Sequence, residues 1–265
     1  MTLPRIPDGQ AIDRNKQVYR DIIDPYCEPG LISIMFLGCG RHNVTRISLD
    51  KLLLSLRKYD GPTEWVFLEQ GWDIDNDGAT KNLTLFKNIS SLLDRSIILC
   101  PNRNYGINVA INQMNSVARG QYSLLIENDW MCHQTTSKWL YDSKQILDEY
   151  LNIGVVQLRA INDPNDNYGV GKVMFNPFSI PMCEHVAELV VSCGTKFLLA
   201  NHKFAGINNN PSLIRKEVHL ELGFMREPEL WSDLRHGETD REKKYMQTNW
   251  KTAHLIDDVF FHYKP

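Results

Sequence analysis

Residues 120–132 read GQYSLLIENDWMC, an apolar strand that runs into two carboxylates, Glu127 and Asp129, with only Asn128 between them and no turn residue before them. Ending a buried strand in acids costs desolvation unless the charge is met. A hard divalent cation bridging to phosphate oxygens meets it with few protein ligands. The triplet is therefore a candidate cation-and-phosphate site, set against the plainer assignment of two solvated turn acids. Just upstream, NRNYGINVAINQMNSVARG (102–120) is an Asn- and Gly-rich turn opening an amphipathic helix that leads back into the acidic strand.

Other groupings carry less. DIDNDGATKNLT (73–84) opens like a calcium loop with Asp73, Asp75, Asp77 and Gly78, but Thr84 stands where the bidentate Glu belongs, so a solvated turn is expected. LGCGRHN (37–43) has two glycines after an apolar run, without the third glycine of a dinucleotide fingerprint or the Gly-Lys-Ser/Thr of a phosphate loop. Cys132-His133 and Cys183-Glu184-His185 do not make the four-ligand spacing of structural zinc. The six cysteines show no CxxC pairing and read as reduced thiols.

The elements that must position these residues alternate. Apolar runs at 31–37, 64–69, 96–100, 121–126 and 153–158 read as strands, and 44–58, about 80–93, 106–118 and 134–150 as helices. Strand–helix repeats imply parallel strands with right-handed crossovers, a layered α/β fold whose ligands sit beyond the carboxyl ends of the strands. Glu127 to Asp129 lie at such an end. Beyond residue 160 comes a loop-like stretch rich in Asn, Asp, Gly and Pro (161–181), then a strand near 196–200, a helix from an N-cap at Ser212 to about Leu222, and a charged helix from about Glu238 to Gln247. No linker separates independent domains. A net charge of −3 gives no basic surface for nucleic acid. Neither a signal-length N-terminal run nor a membrane-length apolar stretch occurs, so a soluble, cytoplasmic protein without a transmembrane segment is expected.

At this point the residues resemble glycosyltransferase family 2, with its GT-A fold. Five ordered features carry the likeness: Cys39-Gly40-Arg41 after the first strand; Glu69-Gln70-Gly71 after the second; Asn104-Tyr105-Gly106 with Ala110 and Asn112; Ala118-Arg119-Gly120; and Glu127-Asn128-Asp129 at the place of the DXD metal motif. Downstream, HGETDREKKY (236–245) is similar to the family's acidic motif and VFFHY (259–263) to a late metal-binding His. Two departures are plain: the metal motif begins with Glu, and Thr239 stands where Asp is common.

The resemblance implies a mainly parallel, mixed central sheet flanked by helices, as a single domain of two abutting halves: an N-terminal extension (1–28), a nucleotide-sugar-binding half (29–130) and an acceptor-binding, catalytic half (131–265). It implies metal-dependent, inverting transfer of a sugar from a nucleoside-diphosphate sugar, UDP-type favoured, to a hydroxyl acceptor such as a glycan. Asp129 and His262 would ligate Mn²⁺ or Mg²⁺. Cys39, Arg41, Glu69, Asn104, Gly106, Asn112, Glu127 and Asn128 would line the donor site, with Glu69 and Arg41 toward the base or ribose. Glu238 or Asp240 would be the general base. A sugar nucleotidyltransferase is the rival enzyme class, although LGCGRHNVTRIS lacks the downstream Lys such enzymes place near the first strand. A nucleotide-sugar-binding protein without catalysis is the rival outside enzymes.

Overall fold

A computed structural model of the chain describes residues 27–160, 187–192, 194–200, 207, 211–225 and 236–263, with backbone alone at 187–188 and 236–239. The expected loop at 161–181 and the Cys183–His185 pair lie outside the described residues.

The first strand, β1 (Glu28–Gly38), explains the architecture. Its residues alternate between two apolar layers, Ile32, Ile34 and Phe36 on one side and Met35 and Leu37 on the other. A strand buried on both faces needs helices on both, the arrangement that parallel sheets adopt. On the first side lie α1 (His42–Leu56), α2 (Asn76–Ser90) and α4 (Lys138–Glu149), which contribute Leu49 and Leu52, Phe86, and Trp139, Leu140, Ile146 and Leu147 respectively. On the other lies α3 (Ile107–Val117), through Ala110, Ile111 and Met114.

Around β1 the chain adds β2 (Thr63–Glu69), β3 (Ser96–Leu99) and β4 (Gly120–Glu127), all parallel, in the order β3-β2-β1-β4. Their carboxyl ends converge on one edge, as the alternating pattern predicts. Beyond β4 the nine-stranded sheet continues with β9 (Ser212–Arg215), β6 (Ile153–Gln157), β10 (Lys251–Leu255), β8 (Thr195–Ala200) and β7 (Ala187–Ser192), the last two forming a hairpin. Direction reverses at β9, which lies antiparallel to both β4 and β6. The β6–β10 pair is parallel and β10–β8–β7 antiparallel, so the sheet is mixed. A separate ribbon joins β5 (Trp130–Cys132) to β11 (Phe260–His262).

One sequence expectation is corrected. Ser212 is not an N-cap: it opens β9, and the helix α5 begins only at Lys216 and ends at Leu222. Four residues of strand suffice there because β4 and β6 supply hydrogen-bond partners on both sides, and the buried Arg215 also donates from Nε to the Ile153 carbonyl at 2.7 Å. The charged helix, α6, spans His236–Tyr245 and packs with α5 on β6 and β9 through Val218, Leu222 and Tyr245. Among the described residues no helix is long and apolar enough to cross a membrane.

Phe86 joins the layers under the site, with its ring stacked on Phe67 at 4.9 Å and edge-on to Phe36 at 6.0 Å between centroids. Replacing Phe86 with Ala should lower unfolding free energy by about 3–5 kcal/mol, read from urea denaturation; a loss under about 1 kcal/mol would mean that the aromatic layer is not holding α2 to the sheet.

Candidate active site

The site begins with a buried carboxylate. Glu69 ends β2 with no exposed surface, and its Oε1 accepts the backbone N–H of Gly40 at 2.9 Å and of Gly71 at 2.7 Å while Oε2 accepts Asn82 Nδ2 at 2.8 Å. Burial pushes its pKa up, against the pull of those donors. The turns after β1 and β2 are thereby drawn together so closely that a Cβ on Gly71 would lie 2.1 Å from the Gly40 nitrogen, and one on Gly38 would lie 2.3 Å from the Glu69 carboxylate. This is the reason for the glycines of LGCG and EQG. Glu69 thus lies beneath the loops rather than open to a nucleoside; its carboxylate shapes the site from below.

The next residue is the outlier. Arg41 has φ 47° and ψ 52°, the one non-glycine residue with positive φ among the described residues. Its N–H donates to Asp75 Oδ2 at 3.0 Å, and its carbonyl takes the first helical bond of α1 from the Thr45 N–H at 3.1 Å. With the backbone so fixed, the guanidinium reaches across to Asn128 Oδ1 at 2.8 Å and Asp129 Oδ2 at 3.2 Å. Asn128 is itself buried and donates to Thr45 Oγ1 at 2.9 Å, tying the acidic strand end to α1.

The β5–β11 ribbon brings the far end of the chain to the same point. His262 pairs in register with Trp130, the Tyr263 N–H donates to the Asp129 carbonyl at 2.6 Å, and His262 Nε2 comes within 3.5 Å of Asp129 Oδ2. The neighbouring His262 and Arg41 hold the Asp129 carboxyl below its ordinary range although burial alone would raise it. Among the described residues no three His, Cys, Asp or Glu side chains gather at one point. Asp129 and His262 place one carboxylate and one imidazole side by side, two side chains that could hold a divalent cation.

Beside this pair a cleft of about 300 Å³ opens at the carboxyl ends of β1, β2 and β4. Its walls are Leu37 at the end of β1, Cys39 and Arg41 from the turn after it, Gln70 after β2, Asn104, Gly106 and Ile107 at the start of α3, and Glu127 with Asn128 at the end of β4. Asn104 Oδ1 accepts the Gly106 N–H at 2.8 Å, and Gly106 at φ 87° opens α3 toward the cleft. Such a helix start favours an anion. Burial raises the Cys39 thiol pKa, which keeps it an apolar wall.

Of the expected donor-site residues, Asn112 lies elsewhere: it donates to the Met225 carbonyl and accepts from the Met225 N–H, both at 2.9 Å, and so fastens α3 to the segment after α5. The Glu238 side chain lies outside the described residues, and Asp240, on α6, is not among the cleft's walls. The acids of 73–84 are dispersed: Asp75 caps α2, Asp73 Oδ2 accepts the Asn104 N–H at 3.3 Å, and Asp77 pairs with Lys81. Cys132 is buried and the His133 ring packs on Phe261.

The sequence reading passed over Gln70. It is 3% exposed and lines the cleft, yet its Oε1 has no hydrogen-bond partner. A buried amide oxygen without a donor is costly unless a ligand supplies one. Period-two alternation held the signal, since Trp65, Phe67 and Glu69 face α2 whereas Val66, Leu68 and then Gln70 face α3 and the cleft.

Comparison with solved structures sets the fold in context. Mannosyltransferase PcManGT from Pyrobaculum calidifontis, solved in complex with GDP-Man and Mn²⁺, superposes with TM-score 0.58 at 14% identity, over 88% of this chain and 57% of its own. S. aureus TarS 1-349 gives 0.56 at 13% identity, over 88% and 60%. The chain therefore spans less than two thirds of the length of either neighbour. No protein-family model and no curated protein matches it. At these identities the likeness is one of fold, and the fold is GT-A-like.

The two residues that end β2 should separate cleanly. Glu69→Gln keeps the shape but aims an NH₂ group at N–H donors, so stability should fall by about 1–3 kcal/mol in urea. Gln70→Met removes a buried oxygen that has no donor and should leave stability unchanged or raise it, by up to about 1–3 kcal/mol. Equal losses for both would refute the division between a buried brace and a cleft wall.

Proposed function

We propose that the chain transfers a sugar from a nucleoside-diphosphate sugar to a hydroxyl acceptor, with a divalent cation and with inversion. The observation that carries this reading is the meeting of Asp129, His262 and Arg41 at the mouth of a cleft on a GT-A-like sheet. The fold neighbours support it, since PcManGT was solved with GDP-Man and Mn²⁺.

Sugar transfer from such a donor leaves a nucleoside diphosphate, so the site must stabilise growing negative charge at the diphosphate and accept a proton from the attacking hydroxyl. Mn²⁺ or Mg²⁺ would supply Lewis-acid charge at the diphosphate, held by Asp129 and His262. Arg41 and the opening turn of α3 add fixed positive charge on the cleft side. Leu37, Cys39 and Ile107 offer apolar walls to a base, and Gln70 Oε1 an acceptor for a ring N–H. Glu127, on the cleft wall, would serve the ribose or the outer shell of the cation. The donor half, residues 29–130, is completed by an acceptor half from which Glu238 or Asp240 removes the hydroxyl proton. A UDP-type donor is favoured, and a hexose or pentose the sugar moved.

Asp129→Asn keeps the shape and loses the charge. Calorimetry with Mn²⁺ and either UDP or GDP should show metal-dependent binding by the parent and its loss in the folded variant; undiminished binding would refute the metal assignment. UDP and GDP titrated side by side also decide the base.

For the proton acceptor, Glu238→Gln and Asp240→Asn should differ. Loss of the base costs about 10²–10⁴ in transfer rate with diphosphate affinity unchanged, and normal rates in both variants would remove the acidic motif of α6 from the chemistry. Donor binding without transfer or hydrolysis in the parent would leave a binding protein.

A further inference from the structure

We propose that Arg41 is a resident counter-cation for Asp129: a divalent cation must evict it, and an incoming diphosphate draws it away, so that metal and diphosphate bind as one event. This rests on the functional reading above and concerns how that site is loaded.

The geometry leaves one carboxylate with too many claimants. The same oxygen, Asp129 Oδ2, has Arg41 at 3.2 Å and His262 at 3.5 Å. A divalent ion held by Asp129 and His262 would sit on the same carboxylate as the guanidinium, two like charges on one small group. Water cannot easily screen the conflict, because the Asp129 side chain is only 18% exposed.

The position of Arg41 shows that its side chain is the reason for its place. Its left-handed backbone costs a residue with a Cβ, and is held by the bonds to Asp75 and Thr45. Those bonds come from the main chain, so a glycine or asparagine could make them with less strain. What the long cationic side chain adds is the reach to Asn128 and Asp129. The side chain is also free to leave, at 45% exposure and on the wall of the cleft, whereas Glu69 below it is locked.

Its alternative partner is implied by the cleft. A guanidinium binds phosphate with a planar, two-pronged fit, so a diphosphate between Gly106 and Asn128 offers Arg41 an anion at least as good as the one it gives up. Metal alone meets an occupied carboxylate, and diphosphate alone meets an arginine already paired. Each should raise the other's affinity by the same factor.

The test is calorimetric or EPR titration of Mn²⁺ alone, and of UDP and GDP with and without Mn²⁺, into the parent chain, Arg41→Asn, Arg41→Lys and Asp129→Asn. Asparagine tolerates the left-handed backbone and is too short to reach Asp129. We expect Arg41→Asn to bind Mn²⁺ alone about tenfold tighter than the parent, a gain from removing a site residue, while its nucleotide affinity and the coupling between metal and nucleotide fall by about the same factor. Arg41→Lys keeps the charge and should stay near the parent for Mn²⁺ alone. Unchanged or weaker Mn²⁺ binding by folded Arg41→Asn overturns the inference while leaving the metal site standing, provided that Asp129→Asn abolishes the parent's metal-dependent binding. Mn²⁺ binding that is absent throughout, or indifferent to Asp129→Asn, overturns both the inference and the functional reading.

Discussion

The cleft depends on one buried carboxylate. Glu69 gathers Gly40, Gly71 and Asn82, three points from three successive segments of the chain, onto two oxygens. Hydrogen bonds to a charged acceptor contribute about 1.5–3 kcal/mol each, which meets part of the cost of removing the charge from water, and burial still leaves the Glu69 pKa raised. From that clamp the geometry propagates outward. The β1 turn can close only over glycine, the close turn sets Arg41 in its left-handed backbone, and that backbone aims the guanidinium at the end of β4. A site residue at the surface is thus fixed by an acid that a ligand need never touch.

The first half of the fold was legible in the sequence because parallel strands buried on both faces leave largely apolar runs, as at 31–37 and 64–69, and the helices between them carry a clear period. The second half was less so. SLIR passes into KEVHLEL without a break residue, so strand and helix merged into one apparent helix at Ser212. KTAHL, the strand β10, is too short and too mixed to stand out on its own. Among site residues, a lone acid at a strand end reads as a ligand, and nothing local distinguishes a carboxylate facing solvent from one roofed by two backbone amides. Asn112 misled in the same way, because a polar residue on an amphipathic helix looks available until the chain that covers it, at Met225, is known.

The second half has its own brace. His219 on α5 is fully enclosed, with Ser123 of β4 against Nε2 at 2.7 Å and Arg241 of α6 against Nδ1. Arginine can only donate, so Nδ1 accepts and the Nε2–H is given to Ser123. Burial, with the Arg241 and Lys216 charges nearby, holds the imidazole pKa well below its ordinary value, so the ring stays neutral. This row carries the placement of the central sheet through α5 to α6, the helix on which the acidic residues at 238 and 240 are borne.

The insertion of β9 between β4 and β6 has a consequence for biogenesis. Residues 28–127 can assemble β3-β2-β1-β4 as soon as they are made, but β4 then presents an open edge, and β6 finds neither of its neighbours, until residues 212–215 and 251–255 emerge. At about 5–20 residues per second of translation, the edge of β4 stays uncovered for roughly 4–17 s. An exposed strand edge is a template for pairing with other chains, so the order of the strands gives the nascent protein an interval of edge exposure that the finished sheet no longer has.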